Sequence, residues 1–153
     1  MIIATLCYIN DGKKTLMLHR IKKANDIHKG KWNGLGGKLE QGESPEECVI
    51  REVNEESGLI ITNPKLRGII TFPKFDSVND WLVFIYTVKK FKGNIKESKE
   101  GVLNWVKNKN LMDLNLWEGD KIFLKWLNKD KFFSAKFIYE NKRLLDYKVV
   151  FYE

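Results

Sequence analysis

GKLEQGESPEECVIREVNEESGL, residues 37–59, is the stretch on which the reading of this chain turns. Between residues 40 and 56 it holds seven glutamates (Glu40, Glu43, Glu46, Glu47, Glu52, Glu55, Glu56) and one cation, Arg51, a local charge of −6. The whole chain carries a formal +7, so everything outside that segment amounts to +13. Like charges at short range repel, and crowding acids in a basic protein calls for a compensating charge. A bound divalent metal is the simplest one.

The local pattern predicts a helix. Ser44-Pro45-Glu46-Glu47 reads as its start, with Ser44 as N-cap, Pro45 at the first helical position and Glu47 closing a capping box. Gly58 supplies the stop. The helix should run from Pro45 to Ser57, roughly 20 Å at 1.5 Å per residue. Glu52, Glu55 and Glu56 then fall on one face, with Val49 and Val53 beside them and turned to the core. Such carboxylates suit hard cations of the Mg²⁺ type, although three acids alone also describe a solvated helix face. The glycines tip the balance. Gly36-Gly37 and Gly42 bracket a loop returning to the helix N-terminus, where bare N–H groups and close backbone approach favour phosphate.

Gly37, five residues, Glu43, seven residues, then Arg51-Glu52-Val53-Asn54-Glu55-Glu56-Ser57-Gly58-Leu59 resembles the complete signature of the Nudix hydrolases. A chance match to its fixed residues is on the order of 10⁻⁹ per starting point. The likeness extends to NDIHKGKWNGLGGKLEQGE, ITFPKF, LWEGD and the closing FFSAKFIYENKRLLDYKVVFYE. These runs are similar to the MutT-type branch, which clears oxidised guanine nucleotides.

The resemblance implies a set of roles. Glu52, Glu55 and Glu56, a carbonyl of Gly36 or Gly37, and Glu100 would hold Mg²⁺, with Mn²⁺ as the alternative. The proton acceptor would be Glu56, with Glu52 and Glu100 as rivals, and Lys38 would stabilise the leaving phosphate. Glu43, Arg51 and Gly58 would be structural, Arg51 pairing with Glu43. Asn33 and Asp120 would read the base, and Trp117, Phe72 and Trp81 would line its pocket. Arg20, Lys22, Lys23 and His28, in a basic loop, would meet the triphosphate. One departure stands out: some relatives carry two adjacent acids where this chain has Gly119-Asp120, with Glu118 offset by one.

The remaining sequence is consistent with one domain over residues 1–153, 43% hydrophobic and with three prolines. Cys7 and Cys48 form no CxxC pair, and the N-terminus has no basic leader, so a reduced, cytoplasmic protein is expected. Ile2–Ile9 and Thr15–Arg20 read as strands joined by the turn Asn10–Lys13, with His19 structural or partly exposed. Trp32–Leu35 reads as a short strand. Lys65–Phe72, Trp81–Val88 and Val102–Val106 read as further strands. Leu116–Leu127 is expected to be an amphipathic helix with Ile122, Phe123, Trp126 and Leu127 inward, and Phe132–Tyr139 and Leu144–Tyr152 a closing hairpin.

This order argues for an α+β fold with a mixed sheet between helices, which the resemblance makes a Nudix-like α/β/α sandwich. The expected activity is Mg²⁺-dependent hydrolysis of a purine nucleoside triphosphate, 8-oxo-dGTP first, to the monophosphate and pyrophosphate. The alternatives are another diphosphate substrate (a different dNTP, ADP-ribose, a capped RNA end) and a non-catalytic nucleotide sensor. Such sensors would be expected to have lost signature glutamates, and this chain keeps them all. The lysines are scattered, without an aromatic-and-basic RNA motif. A small-molecule nucleotide is therefore the expected partner, with no membrane or stable nucleic-acid partner, and a monomer or weak dimer as the assembly.

Overall fold

The computed structural model describes all residues from Met1 to Glu153. Its strands are β1 (Ile2–Asn10), β2 (Lys14–His19), β3 (Trp32–Asn33), β4 (Ile60–Thr62), β5 (Lys65–Phe72), β6 (Trp81–Val88), β7 (Lys90–Lys92), β8 (Val102–Lys107), β9 (Phe132–Glu140) and β10 (Arg143–Tyr152). The helices are α1 (Pro45–Ser57), between β3 and β4, and α2 (Glu118–Trp126), between β8 and β9. A 3-10 helix covers Asn108–Asp113. Eight strands form one mixed sheet in the order β10-β9-β5-β6-β1-β2-β3, with β8 also paired to β2. β1 is parallel to β6 and β5 to β9, while the other pairings are antiparallel.

Successive side chains on a strand point to opposite faces, and the core divides along that rule. Cys7, Ile9, Leu16 and Tyr86 pack on one face of the sheet with Val49 and Val53 of α1. Their strand neighbours Tyr8, Met17 and Ile85 pack on the other face with Phe123, Leu124 and Trp126 of α2. The sheet is thus covered by a helix on each side, the sandwich expected from the element order. No helix is long and apolar enough to cross a membrane.

Helix α1 has the predicted ends. The Ser44 hydroxyl accepts from the Glu47 N–H at 3.1 Å, and the Glu47 carboxylate accepts from the Ser44 N–H at 2.9 Å. Gly58 closes the helix at φ 81°, a left-handed conformation that costs glycine little, and its N–H donates to the Asn54 carbonyl. Val49 and Val53 are fully buried, each contributing roughly 1.5–3 kcal/mol of apolar burial.

Two details differ from the sequence reading. Helix α2 begins at Glu118, with Trp117 as its N-cap, and Leu124 rather than Leu127 completes the buried stripe. The first turn causes the shift, because Gly119 and Asp120 are themselves buried and Gly119 packs against Phe137 and Tyr139 of β9. The ribbon β4–β7 was not anticipated. Three-residue strands leave too little alternation to read.

Candidate active site

A cavity of about 420 Å³ opens beside the glycine loop and the N-terminal half of β1. Its floor is set by backbone. The Thr5 N–H donates to the Gly37 carbonyl at 2.8 Å, and Cys7 and Leu35 exchange two backbone bonds at 2.6 and 3.0 Å. A Cβ at Gly36 would collide with the Thr5 carbonyl, and one at Gly37 with the Glu52 carboxylate. Glycine is what lets this loop lie between β1 and the acidic face of α1.

The carboxylate end of the cavity is lined by Glu52 and Glu56 of α1 and by Glu100 from the loop before β8. Glu56 accepts from the Gly36 N–H at 3.0 Å. Burial, and next the charge of Glu100, push its carboxyl up to about 8. Glu52 is also raised, by burial first, with Arg51 pulling the other way. Glu100 is brought in by backbone: its N–H donates to the Ser98 hydroxyl, and its carbonyl accepts from Lys22.

Arg51 organises the rest of the acidic face. Its guanidinium meets Glu43 at 2.6 Å, Glu52 at 2.8 Å, Glu55 at 3.3 Å and Glu40 at 3.6 Å, and donates to the Lys38 carbonyl at 3.2 Å. The bidentate pairing holds the Glu43 carboxyl down at about 2. One cation therefore ties loop and helix together, while Glu55 stays largely exposed and outside the cavity lining.

The donors at this end are all hard oxygens, the set Mg²⁺ takes. No three acidic side chains stand close enough to enclose an ion as they are, since Arg51 draws Glu52 and Glu55 to itself. The fit rests on Glu56. Its carboxyl is raised by burial first and then by the charge of Glu100, and a divalent cation would offset both.

The opposite end is aromatic. Phe72 and Trp81 are register partners across β5 and β6. Trp117 meets Phe75 at 5.0 Å and Tyr139 at 5.5 Å between ring centres, both edge-to-face. Two polar side chains are set among these rings. Asn33 of β3 is buried and its Oδ1 has no hydrogen-bond partner. Asp120 is buried at the start of α2, and loss of solvation pushes its carboxyl up to about 7.

The cavity unites Asn33, Gly36, Gly37, Lys38, Glu52, Glu56, Phe72, Trp81, Glu100, Trp117 and Asp120 in its lining, together with Arg20 and His28. It does not include Lys22 or Lys23, which pair with Glu97 and Glu100. His28 lies at the aromatic end, 5.9 Å from Phe75 between ring centres. Lys38 sits 5.4 Å over the Trp81 ring. His19 is stacked on Trp32 at 4.3 Å.

Among the lining residues that escaped the sequence reading are Phe75, Asp76 and Tyr139. Asp76 accepts from the Trp81 indole N–H at 3.0 Å and so sets that ring. Phe75 lay within the run ITFPKF, and the aromatic clustering there was its one signal. Tyr139 explains the missing second acid. The Gly119 N–H donates to its hydroxyl at 2.6 Å, and a Cβ at 119 would strike that oxygen. Glu118 instead points to the hairpin, pairing with Arg143 at 2.7 Å.

The family model described as NUDIX domain matches residues 2–127. The chain belongs to the Nudix family. Among its relatives, "Uncharacterized Nudix hydrolase YvcI" of Bacillus subtilis is 35% identical over 129 residues, covering 82% of this chain and 78% of that protein. The mouse "Oxidized purine nucleoside triphosphate hydrolase" is 31% identical over 113 residues, covering 74% of this chain and 72% of its own. The crystal structure of a mutator MutT protein from Bacillus halodurans superposes with a TM-score of 0.87 at 33% identity over 97% of both chains. The protein is thus a Nudix hydrolase with a MutT-like fold, from a family that acts on nucleotide-like small molecules and uses divalent cations such as Mg²⁺.

Proposed function

We propose that this Nudix hydrolase cleaves oxidised purine nucleoside triphosphates, 8-oxo-dGTP first among them, to the monophosphate and pyrophosphate. It would thereby clear mutagenic precursors from the nucleotide pool. The observation that carries the reading is the orphaned Asn33 Oδ1, a buried acceptor in the wall of the cavity that Glu52, Glu56 and Glu100 also line. Buried polar atoms are rarely left without partners, and a base N–H arriving with the substrate would satisfy this one.

Oxidised guanine carries an N7–H donor and an 8-oxo acceptor where guanine has an N7 acceptor and a C8–H. A buried acceptor gains a hydrogen bond with the first and meets a lone pair with the second. Mismatches of this kind discriminate far more strongly than a methylene does. Asp120 is the second candidate for reading the base, donating when protonated and accepting when ionised. The name of the mouse relative supports the same substrate class.

Glu52, Glu55, Glu56 and Glu100, with a carbonyl of Gly36 or Gly37, would hold Mg²⁺, which when bound supplies neutralisation of polyphosphate charge and acidification of water. The chain's own groups do the rest. The Gly36 N–H orients the Glu56 carboxylate. Glu56, buried in the cavity wall and fixed by that bond, is the favoured proton acceptor. Lys38, whose ammonium lies over the Trp81 ring in the cavity wall, would stabilise a leaving phosphate. Phe72, Trp81 and Trp117 would flank the flat base and exclude water from it.

The test is pyrophosphate release from a panel of nucleotides with Mg²⁺ present. The reading expects kcat/KM for 8-oxo-dGTP to exceed that for dGTP by about 10² or more. Equal values overturn it. Turnover confined to a nucleoside diphosphate derivative such as ADP-ribose would replace the substrate class.

A further inference from the structure

His28 occupies an unexpected place for a residue in a basic loop. The Trp117 indole N–H donates to its Nδ1 at 2.8 Å, and the two rings meet edge-to-face at 5.6 Å. An indole nitrogen can only donate, so Nδ1 carries a lone pair and the ring's proton is on Nε2. His28 is therefore neutral here. Its surroundings agree: burial, then the charges of Arg20 and Lys142, bring its pKa down to about 4, against an opposing pull from Asp26.

The histidine is itself held. Its backbone N–H donates to Asp26 Oδ1 at 3.0 Å, and Asp26 Oδ2 accepts from Arg20 at 2.8 Å. Its ring also lies against Phe75. Trp117, by contrast, has no other hydrogen-bond acceptor for its indole, since its remaining neighbours are ring faces and edges and the Lys31 ammonium. The one hydrogen bond that fixes this indole within its ring packing runs to a residue 89 positions away.

We propose that His28 is a positioning residue that locks the Trp117 indole in the wall of the aromatic cleft, pre-organising it for a flat heteroaromatic base. The proposal rests on the cavity being the nucleotide site. It assigns His28 to base binding rather than to the triphosphate, and it acts through Trp117 without touching the reacting atoms. Pre-organisation lowers the cost of ordering side chains on binding, so its loss should be felt in KM.

Three variants and two readouts test it. His28→Phe keeps a ring against Phe75 but removes the acceptor, and His28→Asn restores an acceptor oxygen near the position of Nδ1. Trp117→Phe removes the donor. For whichever nucleotide the panel ranks first, His28→Phe should raise KM about tenfold, the size of one lost hydrogen bond, with kcat within about twofold. His28→Asn should recover most of that, and His28→Phe should add little in a Trp117→Phe background. An unchanged KM, no rescue by asparagine, or additive effects in the double variant would each overturn the proposal. The second readout needs no substrate. The Trp117 indole N–H resonance, identified by its absence in Trp117→Phe, should shift in His28→Phe and return toward its original position in His28→Asn. A resonance that stays put overturns the proposal. A panel led by a nucleotide other than 8-oxo-dGTP would remove the substrate assignment alone and leave this test intact.

Discussion

The carboxylate end and the aromatic end share one cavity, yet they are held together by different forces. At the carboxylate end Glu52 and Glu56 come from a single helix; Arg51 on that same helix holds Glu52 and Glu43 through charge-assisted hydrogen bonds, and the Gly36 N–H holds Glu56. At the aromatic end the residues come from β3, β5, β6, α2, β9 and two loops, and are held by ring packing with single hydrogen bonds to orient each indole. The first end is chemically strong and electrostatically strained. The second is built of aromatic rings, with the Asn33 Oδ1 left without a partner and the Asp120 carboxyl raised by burial. Reactivity would then reside in one and choice of substrate in the other, and damage to each should look different in kinetics.

The largest expected effect is at the carboxylate end. Glu56→Gln should lower kcat by about 10²–10⁴, the range for removing a proton acceptor, while circular dichroism and KM change little. Near-normal turnover would take Glu56 out of the mechanism. Chelating divalent cations should abolish turnover of the native protein as well, with recovery on adding Mg²⁺.

Arg51→Ala comes next. It strips several carboxylates of their common partner and should lower stability by about 1–3 kcal/mol in urea titration. Added Mg²⁺ should recover part of the loss, because a cation can again offset the crowded charge. An unaltered urea midpoint would mean that the arginine network is ornamental.

At the aromatic end, Asn33→Ala should leave kcat for dGTP within a fewfold. Its kcat/KM for 8-oxo-dGTP should fall by about 10–100-fold, as expected for one lost buried hydrogen bond. If both substrates lose equally, the two ends do not divide reactivity from selectivity as argued.

A further prediction concerns stability and pH. The folded protein holds the Asp120 proton until about 7, against an ordinary value of 3.8. Between those pH values the unfolded chain has released the proton while the folded one keeps it, so this group's contribution to stability falls as pH rises and levels off above about 7. Asp120→Asn removes that slope. The variant should gain stability relative to the native chain on going from pH 4 to pH 8, read from urea midpoints at both. A gain on going to acid instead would contradict the buried, neutral Asp120.

Much of the carboxylate end was legible because its interactions span few residues. The cap Ser44, the box partner Glu47 and the Gly58 stop all follow from the helical repeat, and the structure has each at the predicted position, while of the three acids Glu52 and Glu56 line the cavity and Glu55 does not. Arg51 pairing with Glu43 was legible as well, being eight residues apart across a turn. Phe75, Asp76 and Tyr139 were not. Single aromatic or acidic residues in loops and strands carry no periodicity that marks them, and their partners lie in other elements.

The amino-acid order alone thus determined the family, the capped acidic helix and the oxygen-rich chemistry at its face, since neighbours three and four residues apart meet wherever a helix forms. Tertiary structure decided what faces that chemistry. Folding the sheet brings Glu100 into the cavity that Glu56 lines, Tyr139 beneath Gly119 in place of a second acid, and His28 onto Trp117. Those contacts join residues 20 to 89 apart in the chain. No local pattern encodes them, because they exist once packing has paid the entropy of closing the intervening loops.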